Sequence, residues 1–246
     1  PGAQNTVFND TPDITPPAFL TWNFSTPTTL ELNFNEPLEI DAADNVTAQF
    51  NAAINVVSLQ LSSANTQLIA TLDTPLNLGE EYILILDEVA DCEGNSWAES
   101  LDIPLFLGFQ PEEGDLLITE IFPDPDDELP SPAAEFIEIY NAGTQVLELS
   151  QLELSGGFFN SQVTLAPESY LVIADVENTI AFLTFQNVVF MEDFPGLTNS
   201  GRSLVLSQNG AVLDSLSYDL SWYHDASKDD GGYSIERVSL NDPCSD

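Results

Sequence analysis

Along most of the chain, hydrophobic side chains fall on every second position, the period of a β-strand with one buried face. In TLELNFNEPLEI, Leu30, Leu32 and Phe34 alternate with Glu31 and Asn33. The runs VVSLQLSS, QLIATLDTPL and EYILILDEVAD repeat the pattern. Turn formers separate them: a segment from Pro75 to Gly79 precedes Glu80, and Glu93, Gly94 and Asn95 follow Asp91. Regular short strands divided by turns predict one antiparallel sandwich over 16–109.

QPEEGD, Gln110 to Asp115, is a polar break and a domain boundary, so 110–115 is read as a linker. The alternation then resumes in LLITEIF, EFIEIYNAG, LELSQLELSGG, SYLVIAD, NVVFM, SLVLSQNGAVLDSLSYD and YSIERVSL. A second sandwich is expected over 116–240, with 1–15 and 241–246 as flanking linkers. Asn209-Gly210 between apolar runs predicts a tight hairpin. Only DVENTIAFLTF, Asp175 to Phe185, has a helical pattern, with Asp175 as its cap and Ile180, Phe182 and Leu183 toward the core.

Composition narrows the function. Of 246 residues, 41 are Asp or Glu and 3 are Lys or Arg, a formal net charge of −38. Nucleic-acid phosphate needs clustered cations, so nucleic acid is excluded as a partner. An anionic membrane surface would repel the chain, and no apolar run of 18 residues supports direct membrane insertion. Self-repulsion of this size penalises a compact state. High salt, calcium or a basic partner would relieve it; the alternative is that the acid serves only solubility. With 43% hydrophobic and 10% aromatic residues, the chain still has material for cores.

Two stretches resemble known families. LLITEIFPDP with Glu120, AAEFIEIYNAG with Glu135, Glu138 and Asn141, and LELSQLELSGG resemble the lamin-tail domain. The likeness continues through FPGLTNSGRSLVLSQNGAVLDSLSYD to YSIERV, in order, from Leu116 to Val238. TPPAFLTW, TTLELNFNEPLE, PLNLGEEYILIL and VADCEGNSW resemble the bacterial Ig-like domain of surface-layer and adhesin proteins, over 13–109. The resemblance implies an all-β chain of two consecutive immunoglobulin-like β-sandwich domains, secreted and not itself catalytic. PGAQNT at the start is similar to the close of a preceding lamin-tail repeat, which implies one repeat unit of a longer tandem array.

Candidate chemistry is sparse. In PDPDDELPSPAAE, Asp124, Asp126, Asp127, Glu128 and Glu135 offer hard oxygens for calcium; a solvated loop is the competing reading. Asp91, Glu93 and Asn95 have the spacing of early EF-hand ligands, but Ser96 and Asp102 stand where that motif needs Gly and Glu. A turn held by Asp91 and Asn95 explains them as well. Arg237, one of three cations, is expected to pair with a carboxylate such as Glu138 or Glu120. Cys92 and Cys244 are either two free thiols or, in an oxidising setting, one long-range disulfide; each pairing with a neighbouring repeat or subunit is the further alternative. His224 is the only imidazole and lies beside no nucleophile elbow, so an enzyme is not expected. The expected role is a structural or adhesive segment of a secreted, extracellular cell-surface or fibre protein. Its partners would be neighbouring repeats or identical subunits, one route being strand addition by Pro1 to Pro17. The alternative is a glycan- or protein-binding accessory module of a secreted enzyme.

Overall fold

The computed structural model describes residues 13–126, 132–159, 163–228 and 231–240. The chain divides into two compact units, Pro1–Leu107 and Gly108–Asp246. Nearly all the regular elements in both are β-strands.

The first unit contains β1 (Phe19–Thr26), β2 (Thr29–Phe34), a single helical turn α1 (Ala42–Asn45), β3 (Thr47–Phe50), β4 (Val56–Leu61), β5 (Gln67–Leu72), β6 (Glu81–Asp87) and β7 (Leu101–Phe106). One sheet has the order β1-β2-β5-β4 and the other β3-β6-β7, with every pair antiparallel. This is the strand order of the seven-stranded immunoglobulin sandwich. The alternation seen in the sequence explains it. Leu30 and Leu32 of β2, Leu68 and Ala70 of β5, and Leu84 and Leu86 of β6 are fully buried in one core. A one-residue slip would exchange Leu30 and Leu32 for Glu31 and Asn33. Each buried leucine contributes roughly 2 kcal/mol over exposure, so the register is firmly set. The Trp97 indole N–H donates to the Pro17 carbonyl at 2.6 Å and ties down the entering chain.

The second unit contains β8 (Leu116–Phe122), β9 (Phe136–Asn141), β10 (Leu147–Glu148), β11 (Leu152–Leu154), β12 (Gly157–Phe158), β13 (Thr164–Leu165), β14 (Tyr170–Asp175), β15 (Val188–Met191), β16 (Gly201–Gln208), β17 (Ala211–Asp219) and β18 (Ile235–Glu236). A five-stranded sheet, β15-β14-β9-β8-β18, faces a four-stranded one, β12-β11-β16-β17; β10 and β13 form a small ribbon. Ile118, Ile139 and Ile173 from one side meet Leu152, Leu204 and Leu206 from the other. Asn209 and Gly210 have φ of 51° and 82°, so the hairpin between β16 and β17 turns through two left-handed residues, as the Asn-Gly pair predicts.

The segment after β14 departs from the helical expectation. It is a 3₁₀ helix, Val176–Phe182, with a non-helical break at Asn178. Asp175 does cap it, accepting from the Glu177 N–H at 2.8 Å. Ile180 and Leu183, however, are 81% and 80% exposed, and Phe182 alone of the three is buried. Three residues per turn place positions 180 and 183 on one side, so the apolar face of a 3.6-residue helix is never built. Phe182 instead packs with Phe122, Phe136, Val172 and Ala174 on the outer side of the five-stranded sheet, forming a second small core there. The crossover ends in β15, which pairs parallel to β14.

Candidate functional site

A partly buried polar cluster in the second unit sits where β18 meets β8. Glu236 pairs with Glu120 across these strands, and the Arg237 N–H donates to the Thr119 carbonyl. Successive strand side chains point to opposite faces. Glu236 therefore faces outward with Glu120, and Arg237 faces inward with the buried Ile235. On β17, Asp214 stands opposite the fully buried Leu206, in the same inward row as Leu216 and Tyr218. The two inward charges meet: an Arg237 Nη lies 3.0 Å from Asp214 Oδ2, with both side chains about one-seventh exposed. Arg237 is thus the partner of Asp214 and not of Glu138, which lies on the other face of the sheet. Asp214 Oδ2 also accepts from the Ile118 N–H at 2.7 Å, and Arg237 Nε donates to the Ile118 carbonyl at 3.0 Å. A β-bulge lies between Ile118 and Glu120, where the ladder to β9 loses its regular register.

On the outward face, Glu236, Glu120 and Glu138 stand directly opposite one another on β18, β8 and β9. Like charges so placed repel. Thr119 donates its hydroxyl to Glu138 Oε1 at 2.8 Å. Burial pushes the Glu138 carboxyl above the usual range, and the charges of Glu120 and Glu236 add to the rise. Burial also raises Glu120, against a hydrogen bond from Ser234. Beside this ladder the rings of Tyr140 and Tyr170 lie 4.6 Å apart, tilted by 42°.

Between β8, β17 and β18 lies a groove of about 260 Å³, lined among others by Ile118, Trp222, Tyr223, His224, Lys228 and Arg237. It gathers two of the chain's three cations and its one imidazole. His224 is the left-handed residue closing the 3₁₀ turn Leu220–Tyr223, its N–H donating to the Ser221 carbonyl. Lys228 Nζ sits 5.4 Å from the centre of the Tyr233 ring. The sequence reading missed this groove and Asp214. The available signal was an acid at the inward position of a strand, two residues before Leu216 and four before Tyr218.

Of the carboxylates suggested for calcium, Asp127 and Glu128 lie outside the described residues, as does Cys244. Glu135 accepts from the Leu197 N–H at 2.7 Å; burial raises its pKa, and the nearby Arg202 charge opposes the rise. Asp124 lies against the turn at Gly231, and its carbonyl accepts from the Gly232 N–H. Among the described residues, the carboxylates that converge are Asp13, Glu36 and Asp91, with oxygens within 4.8 Å of one another. Asp91 is buried and holds the turn after it, accepting at Oδ1 from the N–H groups of Glu93 and Asn95 and at Oδ2 from the Asn95 amide. Burial raises its pKa, but these hydrogen bonds outweigh that and leave it lowered. Glu36 is raised by lost hydration and then by the Asp13 charge. Glu93 is exposed and is not one of the three. Cys92 is exposed, and its thiol lies 3.2 Å from the Leu38 carbonyl oxygen.

Residues 110–219 match the family model described as Lamin Tail Domain. Over these residues the second unit is similar to that domain. The matched span of the lamin tail domain includes Asp214 and stops before Trp222, Lys228 and Arg237. Among solved structures, the N-terminal part of the bacterial S-layer protein SbsC is similar at 12% identity and a TM-score of 0.35, covering 83% of this chain and 44% of that one. Domains 1-6 of surface layer protein SbsC are similar at 10% identity and a TM-score of 0.32, covering 83% and 41%. The chain thus spans less than half the length of these structures. No curated protein matches it in sequence. No helix among the described residues is long and apolar enough to cross a membrane.

Proposed function

We propose that this chain is a structural segment of a secreted bacterial cell-surface or fibre protein, repeated in tandem, and that it works by holding shape and touching neighbouring copies. The observation that carries this reading is how the chain spends its few cations. Arg237 is turned into the sandwich onto Asp214, and Arg202 donates to the Pro195 and Gly196 carbonyls. Both arginines serve folding and leave an overwhelmingly anionic exterior around two closed apolar cores. Such an exterior suits a saline, extracellular setting, where salt screens exposed charges over about 8 Å. The likeness to the lamin tail domain supports a non-enzymatic role. Asp13, Glu36 and Asp91 are the place where calcium would relieve the charge, supplying hard oxygens from three segments of the first unit. The test is surface labelling of intact producing cells with antibody against the chain, with electron microscopy of the native material. Labelling of extracellular arrays or filaments is expected; signal confined to the cell interior overturns the proposal.

A second reading is favoured by the groove at Trp222. Its volume of about 260 Å³ and its mixture of indole, hydroxyl and charged groups fit a small polar ligand such as one sugar unit. This would make the second unit an accessory binding module. A glycan array probed with the chain and with Trp222→Ala tests it: a hit lost in the variant supports binding, and no hit with either removes this reading.

A further inference from the structure

β1 is an edge strand, paired with β2 on one side and with no strand among the described residues on the other. Its eight residues, FLTWNFST, contain no charge, no Pro and no Gly. Proteins guard exposed edges with charges, prolines, extreme shortness or covering segments. Other edges here are guarded. β7 carries Asp102 and Pro104, β17 carries Asp214 and Asp219, β12 and β18 have two residues each, β4 is flanked by α1, and the uncharged edges β3 and β15 are only four residues long, half the length of β1. β1 shows only two register shifts, which bracket a regular run from Thr21 to Phe24. Leu20 at its start is 61% exposed.

The surroundings of β1 are neutral as well. The strands β1, β2, β4 and β5 together contain one carboxylate, Glu31, and no cation. Glu31 itself is engaged, accepting from Asn23 Nδ2 at 2.9 Å and Gln67 Nε2 at 3.3 Å, while Gln67 also donates to Asn33 Oδ1 at 3.0 Å. In a molecule of net charge −38, this sheet is nearly free of carboxylates. Two copies that approach through other surfaces bring like charges together. Through β1 they do not, and each offers the backbone donors and acceptors that the other lacks.

We infer that the free edge of β1 is a homotypic contact, at which β1 of one copy pairs antiparallel with β1 of a second copy. The inference deepens the assembly reading above and rests on it, by naming the surface through which copies meet. The pairing run is short, so the contact is weak for one pair and gains strength from repetition along an array. Its distinguishing mark is the salt dependence. Repulsion between the remaining surfaces opposes pairing, so association strengthens as salt rises and the screening length falls to about 3 Å at 1 M.

Sedimentation equilibrium of the full chain from 0.05 to 2 M NaCl tests this, with Leu20→Asp on β1 and Val57→Asp on the opposite edge. Val57 is 60% exposed, so it matches Leu20 as a surface position. Thermal unfolding of both variants verifies that they fold. The expected result is a monomer at low salt and a dimer at high salt, with Leu20→Asp weakening the dimer at least about tenfold, or 1.4 kcal/mol, and Val57→Asp leaving it unchanged. A high-salt dimer that survives Leu20→Asp, or is lost only in Val57→Asp, overturns the β1 contact but leaves the wider assembly reading standing. A chain that stays monomeric at all salts, or associates only when a neutral polysaccharide is added, overturns the homotypic contact. The cell-labelling result then decides the wider reading separately.

Discussion

Asp214 and Arg237 hold Ile118 from its two ends. The carboxylate takes the Ile118 N–H, the guanidinium donates to its carbonyl, and the two side chains bond each other at 3.0 Å. At the bulge, this ion pair does what a neighbouring strand would otherwise do, and it links β17 to the opposite sheet.

Removing one partner should therefore cost more than an exposed ion pair, which is typically worth well under about 1 kcal/mol. Arg237→Met leaves a largely buried carboxylate unpaired and the Ile118 carbonyl without its donor. A loss of about 3 kcal/mol is expected for the second unit. Glu138→Gln, on the outer face, should leave the pair intact. Urea unfolding of both variants, followed through the second-unit transition, checks this.

Acid should move the two units differently. Burial raises Glu120, Glu135, Glu138 and Glu148 in the second unit. A carboxyl raised on folding adds stability that is complete below its unfolded value and is lost as pH climbs through its folded value. Hydrogen bonds lower Asp13, Asp73 and Glu80 in the first unit, and their stabilisation is lost as pH falls through their folded values. Lowering pH from 7 to about 4.5, near the ordinary glutamate value, should raise the second-unit melting temperature, on the order of 5 °C. The first unit should lose stability below about pH 4. Calorimetry over pH 3–8, with Glu138→Gln flattening the second-unit response, provides the measurement.

Gly201 has φ of +116°, and a Cβ there would run into the Tyr218 carbonyl oxygen. Gly201→Ala should cost more than about 2 kcal/mol, since backbone and space both resist it. Gly210→Ala, with φ of +82° and open space around it, should cost only about 1 kcal/mol. Guanidinium unfolding of the two variants separates steric overlap from backbone conformation.

Glu36 meets Asp13 and Asp91 with no basic side chain to offset them in the hydrogen-bonding and charge pattern described. In chelator, Glu36→Gln should raise the first-unit melting temperature by removing that repulsion. In millimolar calcium, the native chain should gain and the variant should not. Differential scanning fluorimetry with and without calcium reads both shifts.

Strand positions were legible because every second residue announced its face. Leu30 and Leu32, or Ile137 and Ile139, are read inward from spacing alone, and they are buried. The same rule contained the Asp214–Arg237 pair: Arg237 follows the buried Ile235 by two residues, and Asp214 precedes the half-buried Leu216 by two and the buried Tyr218 by four. What spacing cannot give is which inward charge meets which, because that depends on how the two sheets face. The 3₁₀ crossover was misread for a related reason. A 3.6-residue pattern assumes a regular helix, and the break at Asn178 removes it. Convergence of Asp13, Glu36 and Asp91 spans 78 residues of chain and rests on loop paths that alternation does not encode.

The aromatic layer over the five-stranded sheet gives β9 and β14 apolar cover on both sides: Ile137, Ile139 and Ile173 point into the main core, while Phe136, Val172 and Ala174 lie under Phe182. Their amides therefore reach solvent deuterium only when the whole unit opens. The slowest-exchanging protons should map to these two strands, marking them as the last part of the unit to yield.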